Sequence, residues 1–281
     1  MVSQKEILNK AEDVADEILR HTKHVLPFIA RFCLVSTFVE DGFRMWFQWG
    51  EQRDYMSSSW HFGSFFGSCF VIINLLGQLV PSTLILIQKY TKVAVGILFG
   101  VVILQTIAYN IIWDLRFFLR NVAVCGGLCL ILAEDHDRAD NQTRKKTVFA
   151  GMPSVGGNKP KSYFQLAGRV LLATMFATLT NVVSVSTSWT PVAAAMLMGG
   201  SALMVLVVIG FKTKLSALVL VAWLSALNLY VNDWWSKAAN SYVRDFMKYD
   251  FFQTMSVVGG LLLVVSLGPG GVSLDEHKKR W

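Results

Sequence analysis

HFGSFFGSCFVIINLLGQLVPSTLILI, residues 61–87, runs for 27 positions without an aspartate, glutamate, lysine or arginine. An α-helix rises 1.5 Å per residue, so about 20 such residues cover the ~30 Å of hydrocarbon in a bilayer. The stretch predicts a membrane span, and the rest of the chain keeps the same character. Of its 281 residues, 53% are hydrophobic and only 16% charged, against roughly 25% charged in a soluble domain. Mean hydropathy is +0.45. The chain reads as an all-α polytopic membrane protein.

Working outward from 61–87, eight spans are predicted: 27–47, 61–87, 92–112, 115–133, 164–186, 191–210, 214–233 and 250–268. Only Trp113 and Asp114 separate the third from the fourth, which predicts a tight hairpin. An even count puts both termini on one side. With that side cytosolic, 17 of the 26 lysines and arginines fall in cytosolic segments and four in the opposite loops, Arg53, Lys237, Arg244 and Lys248. This follows the positive-inside rule and accounts for the net charge of +7 without nucleic acid. The basic loops face membrane lipid.

The first 26 residues are polar and have no signal-peptide core. Ile7, Ala11, Val14 and Ile18 recur at helical spacing, as in an amphipathic helix lying on the membrane or packed on the protein's own cytosolic face. Residues 134–163 are polar with Gly and Pro, and predict a cytosolic linker. Its Asn141-Gln142-Thr143 sequon escapes glycosylation on that side. Residues 269–281 form a cytosolic tail, and GPGGVS (268–273), where the last span passes into it, is a helix terminator.

The two segments flanking the linker, 27–133 and 164–268, resemble each other. ARFCLVSTF (30–38) parallels GRVLLATMF (168–176), QKYTKVA (88–94) parallels GFKTKLSA (210–217), and VCGGLCLIL (124–132) parallels VVGGLLLVV (257–265). Two four-helix units with an even number of spans each must be parallel repeats. The paired glycines, Gly126-Gly127 and Gly259-Gly260, predict close helix contact. Cys33, Cys69, Cys125 and Cys129 lie in apolar runs. Cys125 and Cys129 share a helix face, where small packing residues are favoured over a redox pair.

One span breaks the apolar pattern. STFVEDGFRMWFQW (36–49) places Glu40 and Asp41 one turn from Arg44, so either acid can pair with it. An unpaired charge near the bilayer centre costs roughly 2.5–3.5 kcal/mol. The matching places in the second half are Thr178, Leu179 and Val182. The cluster is therefore an asymmetry between similar halves, and binding is its default reading. A buried ion pair that fixes helix rotation is the alternative. The five histidines are scattered with no two in one span. There is no nucleophile–base pair, P-loop, dinucleotide fingerprint or metal-ligand spacing. Neither an enzyme nor a cofactor is expected.

GRVLLATMF, GGSALMVLVVIGFKTKLSALVL and GGLLLVVSLGPGGVSLDE resemble DoxX-like four-helix membrane proteins. More specifically, FVEDGFRMWFQWGEQRDY, LGQL, LQTIAYNIIWDLRFFLRN, GFKTKLSAL and KYDFFQTMSVVGGLLLVVSLGPGGVSLDE resemble the surfeit-locus protein family of endoplasmic-reticulum cargo receptors. The resemblance covers nearly the whole chain, except 134–163 and 181–191. It implies a receptor of the endoplasmic reticulum, the intermediate compartment and the cis-Golgi. Such a receptor loads soluble secretory proteins into COPII vesicles and recognises the new N-terminus left by signal cleavage. The oligomeric state is left open.

That implication assigns the lumenal acids a ligand. A cargo α-ammonium would meet Glu40 and Asp41 beside Arg44, with aromatic walls from Trp46, Trp49, Trp60, Tyr109 and Trp113. Asn110, Asp114, Tyr249 and Asp250 lie at the same level, whereas Trp234 and Trp235 are read as an interfacial belt. His61 is the one histidine placed to sense lumenal pH. The ending HKKRW puts Lys278 and Lys279 fourth and third from the carboxyl end, as in a dilysine address read by the COPI coat. A basic stop after the last span is the plainer account. Two other classes compete. A transporter or lipid-handling protein needs Glu40, Asn74, Gln78 and Gln105 along one path, and a redox enzyme is suggested by the DoxX-like fold alone.

Overall fold

A computed structural model describes residues 4–22, 24–61, 63–149, 162–174, 191–238, 242–268 and 273. Among them every regular element is helical. The order is α1 (Gln4–Thr22), α2 (Leu26–Phe47), α3 (Trp49–Trp60), α4 (Gly63–Ile87), α5 (Thr91–Ala108), α6 (Leu115–Phe149), α7 (162–174), α8 (Pro191–Ile209), α9 (Thr213–Val231) and α10 (Tyr242–Leu267). Five described helical stretches are long and apolar enough to cross a membrane: Gly63–Ile87, Thr91–Ala108, Phe117–Gln142, Thr213–Ser236 and Tyr242–Leu267. The protein is a polytopic, all-helical membrane protein. Eight spans were expected from the sequence. α2 is long enough, but Arg31, Glu40, Asp41 and Arg44 keep it outside the five.

Three elements depart from the sequence reading. Residues 49–60, expected to be a loop, form α3. Gln48 ends α2 and starts α3 with φ −103° and ψ 32°, which breaks the helix between them. Gly67 of α4 receives α3, since a Cβ there would lie 2.7 Å from the Arg53 carbonyl oxygen. The last helix begins at Tyr242, eight residues before the expected span, because its polar first turns find partners on α2 and α6. α6 runs to Phe149, past the expected end of the fourth span at 133. Glu134 sits 3.2 Å from the buried Arg31 of α2 and accepts from Arg138 at 2.9 Å. The helix therefore does not have to stop where its apolar sequence does. Residues 150–161 of the expected linker, residues 175–190 and the dilysine at 278–279 lie outside the described residues.

α2 packs chiefly on α10 and α4. Pro27 opens it at a position where the missing N–H costs nothing, and Ala30, Leu34, Val35 and Phe38 enter the core. Glycines set the closest approaches. A Cβ on Gly259 would lie 2.5 Å from both the Ala30 carbonyl oxygen and the Leu34 amide. A Cβ on Gly126 would lie 3.1 Å from the Gly168 carbonyl oxygen and 3.1 Å from the Leu172 amide. Gly127 abuts Leu34, and Gly260 abuts Leu172.

The turns 88–94 and 210–216 share a backbone. Gln88 and Tyr90 have φ of +62° and +51°, and Gly210 and Lys212 have +79° and +45°. Lys89 N–H donates to the Leu84 carbonyl and Phe211 N–H to the Leu206 carbonyl, each at 3.0 Å. The second turn needs glycine because Ser273 presses on it, with its Cβ 2.5 Å from where a Gly210 Cβ would be. Gln88 is exposed. α10 ends at Leu267, as the GPGGVS segment predicted, and Gly268 follows with φ +79°. α1 lies against α9, with Ala15 buried and Lys214 3.1 Å from Asp16. All four cysteines are free thiols.

Candidate functional site

Glycine decides where the polar residues of the spans meet. Gly42 lets Leu79 come within 2.8 Å of its would-be Cβ, which draws α4 onto α2 beside Asp41. Gly77 does the same for Val101 of α5 at 2.8 Å. Asp41, Gln78 and Gln105 are thereby brought to one point. Both glutamine Nε2 groups donate to Asp41 Oδ2 at 2.7 Å, and Arg44 donates to Oδ1. This knot forms the floor of a cavity of about 590 Å³ between α2, α3, α4, α5, α6 and α10. That volume is within the ~300–1,000 Å³ of small-ligand pockets.

The cavity has a buried floor and an exposed rim. Asp41, Gln78 and Gln253 are buried, whereas Glu51, Asp114 and Asp245 are exposed. Four acids, Asp41, Glu51, Asp114 and Asp245, line it against one base, Arg44. Asp114 also caps α6, accepting from the Phe117 amide at 3.4 Å. Asp245 accepts from Gln48 at 3.2 Å. The walls are aromatic. Tyr55 and Tyr109 stack at 5.6 Å, the Tyr109 hydroxyl donates to Gln52 at 2.7 Å, and Phe117 and Tyr249 face each other at 6.0 Å.

Of the residues expected to bind or to lie at the same level, Asp41, Arg44, Tyr109, Asn110, Asp114 and Tyr249 line this cavity, and the others do not. The Glu40 side chain is 5% exposed and points to α10, 3.2 Å from Lys248 Nζ. Asp250 is buried in a pair with Arg120 of α6. Trp46 and Trp113 are exposed, Trp113 by 84%. Trp49 packs on Met45, Val71 and Leu75. Trp60 donates to the Ala108 carbonyl at 3.0 Å and borders a separate apolar cleft of about 230 Å³. His61 is exposed in a left-handed turn between α3 and α4, away from the cavity. Of the path required for a transporter, Gln78 and Gln105 line the cavity and Glu40 and Asn74 do not.

Sequence reasoning missed the contribution of α3 and, Tyr249 apart, that of the first turns of α10. A signal was present in the second case. Tyr242, Asp245, Phe246, Tyr249 and Gln253, all cavity-lining, recur at i, i+3, i+4, i+7 and i+11, one face of a helix. Gln48, Glu51, Gln52 and Tyr55, also cavity-lining, carry the i, i+3, i+4 and i+7 part of the same spacing.

The SURF4 family model matches residues 5–281. "Surfeit locus protein 4 homolog" of Drosophila melanogaster is 53% identical over 277 residues, 98% of each chain. The protein of the same name from Schizosaccharomyces pombe is 43% identical, over 90% of this chain and 82% of its own. "ER-derived vesicles protein ERV29" of Saccharomyces cerevisiae is 33% identical, over 99% of this chain and 85% of its own. No solved structure matches the chain significantly. With similarity this extensive to proteins of that name, and a family match from residue 5 to the last, the chain belongs to the SURF4 family.

Proposed function

We propose that this protein is a cargo receptor of the endoplasmic reticulum. It binds the N-terminal segments of soluble secretory proteins in the cavity under Glu51, Asp114 and Asp245, and sorts them into COPII vesicles. The observation that carries this reading is the cavity itself, with a negative rim over a closed polar floor and aromatic walls. That combination suits the leading end of a polypeptide, a cation followed by side chains that need somewhere apolar to lie. The relative named for vesicles derived from the endoplasmic reticulum supports the compartment. In this reading the rim faces the lumen and both termini the cytosol, where Lys278 and Lys279 recruit the COPI coat for return. Binding does the work and no catalysis is involved.

We also propose that residues 27–133 and 164–268 are parallel units related by a two-fold axis along the membrane normal, with α2, α8 and the expected span 164–186, of which α7 is the described start, crossing as well. The support is the exchange of contacts at the glycine pairs. Gly126 of the first unit meets Gly168 and Leu172 of the second, and Gly259 of the second meets Ala30 and Leu34 of the first. These partners occupy matching places in the two aligned segments.

The test is cargo co-purification with the full chain. Glu51→Gln combined with Asp245→Asn removes two rim charges at exposed positions and leaves the floor intact. Retained cargo is expected to fall several-fold, and to depend less on salt between 50 and 300 mM, because screened rim charges act over about a Debye length of ~10 Å. Undiminished recovery of every cargo by the double variant would remove the cavity from the reading.

A further inference from the structure

We infer that the floor of this cavity receives a primary ammonium group through the side-chain carbonyls of Gln78 and Gln105, with the Asp41 carboxylate acting behind them. The inference rests on the reading that the cavity binds polypeptide. It concerns which group enters first and what meets it.

Asp41 itself is occupied. One oxygen holds Arg44, and the other accepts from both glutamine amides at 2.7 Å. Those two bonds also settle how the glutamines are oriented. A carboxylate only accepts, so each glutamine must turn its NH₂ toward Asp41 and its carbonyl oxygen away. Gln78 is 0% exposed and lines the cavity, and its Oε1 has no hydrogen-bond partner among the described residues. Gln105 lines the cavity beside it. A buried carbonyl without a donor is expensive, and native proteins rarely leave one so. Gln78 Oε1 therefore calls for a donor from the cavity.

The charge of Asp41 gives the carbonyls their preference. Each amide is polarised by donating to a carboxylate, which strengthens its own oxygen as an acceptor in a low-dielectric site. Two such oxygens below a rim of Glu51, Asp114 and Asp245 favour a ligand that is cationic and donor-only. An ammonium brings three donors and no acceptor. A hydroxyl or carboxyl group would bring a lone pair into this acceptor-lined floor. The polypeptide can supply the ammonium in two ways, from its α-amine or from a lysine near its end.

Three synthetic peptides separate these sources. All copy the mature N-terminus of a secreted protein that the cell retains when this chain is deleted. The first has a free α-amine and no lysine. The second is the same peptide Nα-acetylated. The third is Nα-acetylated with lysine at its second position. Binding is read by fluorescence anisotropy with the detergent-purified full chain. The first peptide is expected to bind, and the second at least about tenfold more weakly, as befits loss of a charge-assisted contact. Recovery by the third would support the ammonium with lysine as its source, and no recovery would support it with the α-amine.

In Gln105→Leu, checked for folding by its melting temperature, the free and acetylated peptides are expected to converge. Equal binding of the first two peptides to the native chain would overturn the inference while the proposed function stood. So would a Gln105→Leu protein that still discriminates tenfold. Failure of all three peptides to bind would overturn both.

Discussion

Asp41 accepts from Arg44, Gln78 and Gln105, and its side chain is only 13% exposed. A carboxylate in that position holds three helices, α2, α4 and α5, to a common point. Replacing it with asparagine would put an NH₂ against at least one donor and leave Arg44 without its counter-charge. Removing one partner of a buried pair costs roughly 3–5 kcal/mol. Arg44 keeps about a third of its side chain in contact with solvent, which brings the expected cost of Asp41→Asn down to about 2–3 kcal/mol. Thermal unfolding of the purified variant should show that loss. The double variant Asp41→Asn with Arg44→Gln should recover part of it, because no buried charge is then stranded. A single variant as stable as the native chain would mean that the knot does not hold the floor together.

α10 supplies one wall of the cavity, and two ion pairs outside the cavity fix it there. Lys248 reaches Glu40 of α2, and Asp250 reaches Arg120 of α6. Glu40 therefore acts through α10 and positions the face that carries Asp245, Tyr249 and Gln253. Charge reversal tests this. Glu40→Lys and Lys248→Glu should each lower the melting temperature and weaken cargo binding. The double reversal should restore most of both, with a coupling of roughly 1–3 kcal/mol. A double variant no better than the worse single one would deny the latch.

The same helix shows what the sequence could reveal. The spans were legible because hydrocarbon imposes a length and composition that irregular chain cannot meet. The acids 40 and 41 stood out in the sequence because charge is costly in that solvent. Their separate fates were not legible, because adjacent residues on a helix point about 100° apart and only the packed neighbours decide which partner each one finds. α3 and the polar first turns of α10 read as loops in the sequence for a related reason. Polarity at a span's edge is shared by loops and by helices that close over a cavity, and only the periodicity of residues 242–253 separated them.

The similarity of the two halves makes a demand on the molecule as a whole. If 27–133 and 164–268 are related by a two-fold axis, a lesion in one glycine pair must have a counterpart in the other. A methyl on Gly259 would meet α2 backbone at 2.5 Å, and one on Gly126 would meet Leu171 Cβ at 2.5 Å and α7 backbone at 3.1 Å. Backbone cannot step aside as a side-chain end can, so Gly259→Ala and Gly126→Ala should each push two helices apart. Overpacking of this kind costs roughly 1–3 kcal/mol. Gly96 of α5 is the control, with nothing within 4 Å of a Cβ at that position. Gly96→Ala should leave the melting temperature unchanged or raise it slightly, since alanine is the better helix former. Both pair variants should melt lower than native. A Gly126→Ala protein indistinguishable from native, beside a destabilised Gly259→Ala, would mean that the halves resemble each other in sequence without exchanging equivalent contacts.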